Sequence, residues 1–202
     1  MSHCTSFKFQ YVNRKCIIQT FENIGLDWHD DTVVSYNSGI EKMLGINAHD
    51  PTPAIIASKD GFNYFMMDKG GYYELSIEKH NMNSDEEHRA KNMAEEFKRE
   101  YIKTTMDMFK DKLEKKGINC ILNNTKKGWK ICFGKTYEKS VLVNFDGKNI
   151  EEQVSGIKGG SCSSLTRVLE DMLSSPEVDL HTRWTEEYYQ TEDDDLKLYN
   201  LS

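Results

Sequence analysis

The stretch GIKGGSCSSLTRVLEDML, residues 156–173, places three glycines, a cysteine and three serines ahead of an apolar helical stripe. A glycine turn feeding a helix start presents free backbone N–H groups and the positive end of the helix dipole. Gly159, Gly160, Ser161, Cys162 and Ser163 could therefore receive a phosphate, a nucleotide or another small anion. A thiol in the same position would be acidified and reactive. The third reading is a cap: Gly159 and Gly160 make the turn, Ser161 or Ser163 accepts an N–H, and Cys162 packs inward with Leu165, Val168, Leu169, Met172 and Leu173. The GxxxxGK[ST] pattern is absent and no lysine stands at the helix start, which favours the cap over the phosphate.

Elsewhere no local motif dictates a reaction, so no catalytic residue is assigned. Neither GxSxG nor HExxH occurs. The six histidines, at positions 3, 29, 49, 80, 88 and 181, form no HxxxH pair, and the five cysteines form no CxxC. Trp28-His29-Asp30-Asp31 is the densest run of possible ligands, but it lacks the rest of a metal set, and neither a metal nor a cofactor is expected. Acidic pairs such as Glu95-Glu96 and Glu186-Glu187 diverge on a helix and make poor acid–base partners. A carboxylate pair assembled across the fold would leave no trace in the sequence. Near the C-terminus Trp184, Tyr188 and Tyr189 sit in an acidic segment running on to Asp193–Asp195. Such aromatics either anchor a protein partner or pin the tail to its own domain.

The elements that must position these residues follow from periodicity. Thr5 to Val12 alternates Phe7, Phe9 and Tyr11 with polar neighbours, a strand pattern. Asn13 then caps a helix carrying Ile17, Phe21 and Ile24, which Gly25 ends. Thr32 to Tyr36 comes next, with a loop over 39–53. Runs at 54–58, 62–67 and 72–78, joined by Lys59-Asp60-Gly61 and Asp68-Lys69-Gly70-Gly71, read as an antiparallel meander. Ser84 or Asp85 caps a long helix with Phe97, Tyr101, Ile102, Met106, Phe109 and Leu113 on its stripe, ending at Gly117. Its charged first two turns are expected to fray or project. INCIL and GWKICFG form another strand pair. KSVLVNF, a turn at Asp146-Gly147 and NIEEQVSGI make a hairpin ahead of the last helix.

The fold class is α+β: an antiparallel sheet with helices packed on one face, plus a small C-terminal β-hairpin and helix module. Three segments are expected: an α+β domain over 1–136, a ββα module over 137–190, and an acidic tail over 191–202. At its length the module is marginal for independent folding and is expected to pack on the first sheet.

A chain of 202 residues buries roughly 70% of its unfolded surface, enough for a real core. With 38% hydrophobic and 29% charged residues it reads as an ordered globular protein. No apolar run approaches the ~20 residues of a membrane span. No secretory or transit signal is evident, and the scattered, odd set of cysteines fits a reducing compartment, so a cytoplasmic location is expected. The net charge of −7 argues against nucleic acid and anionic membranes as partners. Segment 103–139 is the exception, with ten lysines against four acids, and it is locally basic.

Two resemblances add to this reading. MSHCTSFKFQ with its following helix, the GFNYFMMDKGGYYELSIE hairpin and EEFKREYIKTTMDMFKDKLEKKGINC resemble the domain-of-unknown-function family numbered twelve fifty-seven, which includes the plastid and cyanobacterial ycf-thirty-five proteins. This likeness covers residues 1–134; the family's aromatic after MSH is replaced by Cys4. FDGKNIEEQVSGIKGGSCSSLTRVLEDML through WTEEYYQ resembles a second uncharacterised family, numbered twenty-nine ninety-seven, over residues 137–190. Its motif falls on Gly159, Cys162, Thr166, Leu169, Glu170, Glu187, Tyr188 and Tyr189, while its usual Leu-Gly helix ending is replaced by Leu173-Ser174-Ser175-Pro176. The resemblance implies no assigned reaction. It implies companions of AAA-type ATPases, hence a protein partner, and it admits a plastid stroma or host cytoplasm as the location. The expected function is therefore a non-enzymatic binding or adaptor protein acting through its surfaces. An anion or nucleotide binder using Gly159–Ser163, or a viral or phage accessory protein that binds a host factor, are the alternatives.

Overall fold

In the computed structural model residues 3–31, 54–158 and 161–189 are described. Segment 32–36, the loop 39–53, Gly159 with Gly160, and the tail 191–202 lie outside them. The fold is α+β. Ten strands and three helices are present among the described residues: β1 (His3–Lys8), α1 (Arg14–Asn23), β2 (Asp27–Asp31), β3 (Ala54–Lys59), β4 (Phe62–Asp68), β5 (Tyr73–Glu78), α2 (Ser84–Lys115), β6 (Cys120–Asn124), β7 (Gly128–Phe133), β8 (Lys139–Phe145), β9 (Asn149–Ser155), α3 (Ser161–Leu173) and β10 (His181–Trp184). A 3-10 turn over Glu186–Tyr189 follows. No helix among them is long and apolar enough to cross a membrane.

The chain divides into two compact units, residues 17–100 and residues 1–16 with 101–202. The division falls inside α1 and inside α2. The 17–100 unit carries a four-stranded antiparallel sheet of order β2-β3-β4-β5. Its β3–β4 hairpin closes on Asp60-Gly61, both with positive φ (53° and 79°), the tight turn whose twist matches the strands. Phe21 meets Phe97 at 5.0 Å between ring centroids, and both are fully buried beside Phe62, Tyr64 and Met66.

The other unit is built on a six-stranded antiparallel sheet of order β10-β1-β9-β8-β7-β6. Alternate residues of its strands are buried: Phe7 on β1, Ile150 and Val154 on β9, Val141 and Val143 on β8, Ile131 and Phe133 on β7. This is the period-two pattern of a sheet with one inner face. The helical stripes complete the core, with Ile102, Met106, Phe109 and Leu113 from α2 and Cys162, Leu165, Leu169, Met172 and Leu173 from α3, all buried. The strands of residues 137–190 hydrogen-bond within the same sheet as β1 and β7.

Helix ends follow the side chains that satisfy them. Asn13 Oδ1 accepts from the Lys15 and Cys16 amides at the start of α1. At α2 the cap falls one residue earlier than Ser84. Asn83 Oδ1 accepts from the Asp85 and Glu86 amides while Glu86 Oε2 accepts from the Asn83 amide, a reciprocal capping box. With its first turn held this way, α2 is helical from Ser84 onward; of fraying or projection, the two outcomes expected, fraying does not occur. The C-terminus of α3 is held from outside the helix: Gln10 N donates to the Leu173 carbonyl, and the Tyr101 hydroxyl donates to that of Met172. The same hydroxyl accepts from the Val12 and Asn13 amides at 3.2 and 3.0 Å. One fully buried phenol thus joins α2, the segment after β1, and the end of α3.

Tyr101→Phe keeps the ring and removes all three hydrogen bonds. A loss of about 2–4 kcal/mol in urea denaturation is expected, because two amides and a carbonyl lose their partner in the interior. A peptide of residues 137–190 alone lacks the β1 and β7 pairings on both sides of its hairpin; circular dichroism is expected to show it unfolded.

Candidate functional site

Strand register assembles a polar group at one end of the inner face. β1 lies between β9 and β10. His3 stands opposite Val154 on one side and Trp184 on the other, and Thr5 stands opposite Glu152 and Thr182. Directly opposed residues point to the same face, so these side chains form two adjoining rows. Thr5 and Thr182 join through their hydroxyls at 3.1 Å. Helix α3 covers the rows, with Thr166 Oγ1 3.5 Å from His3 Nε2. Ser163, Thr166, Arg167 and Glu170 lie at helical spacing along one stripe of α3. Together with His3, Thr5, Thr182, Trp184 and the turn residues Ser174, Pro176 and Leu180, they line a cleft of about 660 Å³. That is the size of a small-molecule or side-chain site.

The electrostatics of the floor set it apart from an ordinary core. Glu152 is 0% exposed and neither carboxylate oxygen makes a hydrogen bond of good geometry, although the Thr166 hydroxyl lies near enough to favour its charged form. Burial holds its carboxyl well above the usual range, and the charge of Glu170 pushes in the same direction; Thr166 opposes the rise. Glu170 itself is pushed up to about 6 by burial and by Asp171, with Thr166 and Arg167 acting the other way. His3 is 1% exposed, and burial lowers its pKa to about 4, so the imidazole is neutral at physiological pH. His3 Nδ1 has no hydrogen-bond partner. One nitrogen of His3 and one oxygen each of Glu152 and Glu170 all lie within 4.8 Å of one another. These three residues are the group, among those described, that could hold a metal ion or another small cation.

Of the residues singled out at the last helix start, Cys162 is fully buried. Ser163 lines the cleft, and its buried Oγ has no partner. Gly159 and Gly160 lie outside the described residues, as does the side chain of Ser161. Of the three tail aromatics, Trp184 is 41% exposed at the cleft rim, 5.3 Å from the His3 ring and 4.0 Å from Tyr188 between centroids. Tyr189 is 76% exposed and stands edge-on to Tyr188. Trp28-His29-Asp30-Asp31 forms β2, paired with β3, and His29 is exposed there.

His3, Glu152 and Glu170 escaped the sequence reading as a set because they lie on three separate elements. One signal was available. Ile150, Glu152 and Val154 share a face of β9, so a glutamate occupies an inward position between two core residues.

Residues 141–189 match a family described as "Protein of unknown function (DUF2997)". No curated protein and no solved structure matches the chain. The matched segment contains Glu152, Glu170 and Trp184 but not His3.

Because Glu152 is raised, the folded state keeps a proton that the unfolded chain releases above pH ~4.3. This contribution therefore falls as pH rises, by up to about 1.4 kcal/mol per unit, until Glu152 ionises in the fold. Glu152→Gln cannot ionise. In chelated buffer the variant is expected to gain stability relative to the parent from pH 5 to pH 8, and parallel denaturation curves would contradict the assignment.

Proposed function

We propose that this chain is a binding module whose ligand seats in the cleft between α3, β1 and β10 and presents positive charge to its floor. The observation that carries the reading is Glu152, a buried carboxyl without a hydrogen bond of good geometry, in company with Glu170. Arg167 is the cation in the cleft lining, and it stands exposed on α3. A floor of this kind gains from a positive charge supplied from outside, because that charge removes the cost of the buried acids.

The rim suits a protein as the source of that charge. Trp184 and Tyr189 are exposed beside the cleft with the half-buried Tyr188 between them, and such aromatic residues anchor partner proteins. A lysine or arginine of the partner would then reach Glu170 beside the Trp184 ring. The resemblance of residues 1–134 to family twelve fifty-seven, and the companions that this implies, support an adaptor role with an AAA-type ATPase as the partner. The support is by analogy. An anion bound at Gly159–Ser163 is the weaker reading, because an anion against Ser163 would share the cleft with Glu170 and Asp171, which repel it.

Titration with arginine amide, followed through the signals of Trp184 and His3 by NMR, distinguishes the two. Saturable shifts are expected, with affinity weakened about tenfold or more in Glu170→Gln, equivalent to ~1.4 kcal/mol. Shifts with inorganic phosphate and none with arginine amide would overturn the reading.

A further inference from the structure

We infer that His3, Glu152 and Glu170 are ligands of one divalent first-row transition-metal ion of the zinc, iron or manganese class, with its remaining coordination positions facing the cleft. The inference rests on the reading that the floor receives positive charge, and it names that charge.

Three observations lead to it. Donor atoms of the three side chains already stand within 4.8 Å of one another. Donors around a tetrahedral ion with bonds of about 2.0–2.2 Å stand roughly 3.3 Å apart, so small torsions of the two glutamates close the set. Second, Glu152 is completely buried beneath the group with neither oxygen in a hydrogen bond of good geometry. A purely structural carboxyl in that position would ordinarily be hydrogen-bonded, since a buried polar group without a partner is costly. Third, His3 Nδ1 is unpartnered while Nε2 faces the Thr166 hydroxyl. A ligating histidine gives one nitrogen to the ion and the other to an orienting neighbour, and His3 has both an unpartnered nitrogen and a hydroxyl neighbour.

Charge and donor type select the ion. Two carboxylates and a neutral imidazole balance a dication. An imidazole donor with only two acids suits zinc, iron or manganese, whereas calcium takes six to eight oxygens. The ligands come from β1, β9 and α3, all regular elements, which keeps the set in place. A site with three protein ligands retains positions for an outside donor, and His3 and Glu170 line the cleft from which such a donor would come.

The test uses the full chain, purified without a polyhistidine tag, stripped with chelator, and titrated with Zn²⁺ alone and with Mn²⁺ alone by calorimetry and by dialysis with elemental analysis. One equivalent bound at micromolar affinity or tighter is expected for at least one ion. Glu170→Gln and His3→Ala are each expected to weaken it by about 100-fold or more. Glu152→Gln provides a third variant, checked for folding by circular dichroism. Glu151→Gln, on the opposite face of β9, should leave the affinity unchanged. Absence of stoichiometric binding, or binding insensitive to the ligand variants, overturns the inference. If arginine amide still perturbs Trp184 in that case, the cation-receiving cleft stands without the metal. If neither probe binds, both readings fall.

Discussion

The insertion of β1 between β9 and β10 is the constraint on which the six-stranded sheet and its cleft depend. β1 is paired with β9 along His3–Lys8 and with β10 over residues 3–6, so this short segment is internal to the sheet. Its register is fixed by Phe7, buried opposite Ile150, and by Phe9 against Phe145 at 5.6 Å. A slip of one residue would turn Phe7 to solvent, and it would equally replace His3 and Thr5 by Cys4 and Ser6 on the inner face. Apolar packing thus sets the position of the polar cluster. The outer face shows the complementary set, with Cys4 donating to Glu151.

The same face combines two kinds of interior. Toward β7 and β8 it is continuous apolar core, from Val143 and Val141 to Ile131 and Phe133. Toward β10 it turns polar, with Glu152, Thr5, Thr182, His3 and Thr166 in adjoining positions. A structural polar network is stabilising when every member finds a partner, and a half-satisfied one is worse than an apolar patch. Here Glu152, His3 Nδ1 and Ser163 Oγ lack hydrogen bonds of good geometry while Thr5 and Thr182 are joined. His3 and Ser163 line the cleft and Glu152 lies within reach of His3 and Glu170, a placement that suits groups kept for an outside ligand.

Much of the fold was legible because its signals are local. The apolar stripe of α2, the Asp60-Gly61 turn and the Asp146 loop, where one carboxylate oxygen accepts from the Lys148 and Asn149 amides, follow from nearest neighbours in the sequence. β2 and β10 were missed for the same reason: DWHDD and HTRW are short and polar, without the alternating apolar residues that mark a strand. Beginning the first strand at Thr5 left His3 outside it. The cluster could not be read as a motif because positions 3, 152 and 170 meet only through sheet register and helix docking, both tertiary. Trp184, read either as a partner anchor or as a pin for the tail, was legible as a residue; its pairing with β1 beside His3 was not.

The family match over 141–189 acquires a structural meaning from β1. That segment supplies most of β8, all of β9, α3 and β10, with two of the three cluster residues and the aromatic rim. It does not supply the strand between β9 and β10, nor His3. Taken alone it leaves β9 and β10 with facing unpaired edges, which native sheets fill or cover. It also lacks Gln10 and Tyr101, which secure the carbonyls at the end of α3 one turn beyond Glu170. In this chain the N-terminal residues and α2 provide all of these together. The cleft is therefore a property of the joined polypeptide: the matched segment carries its acids and rim, and the residues before it bring the imidazole and hold the helix over the floor.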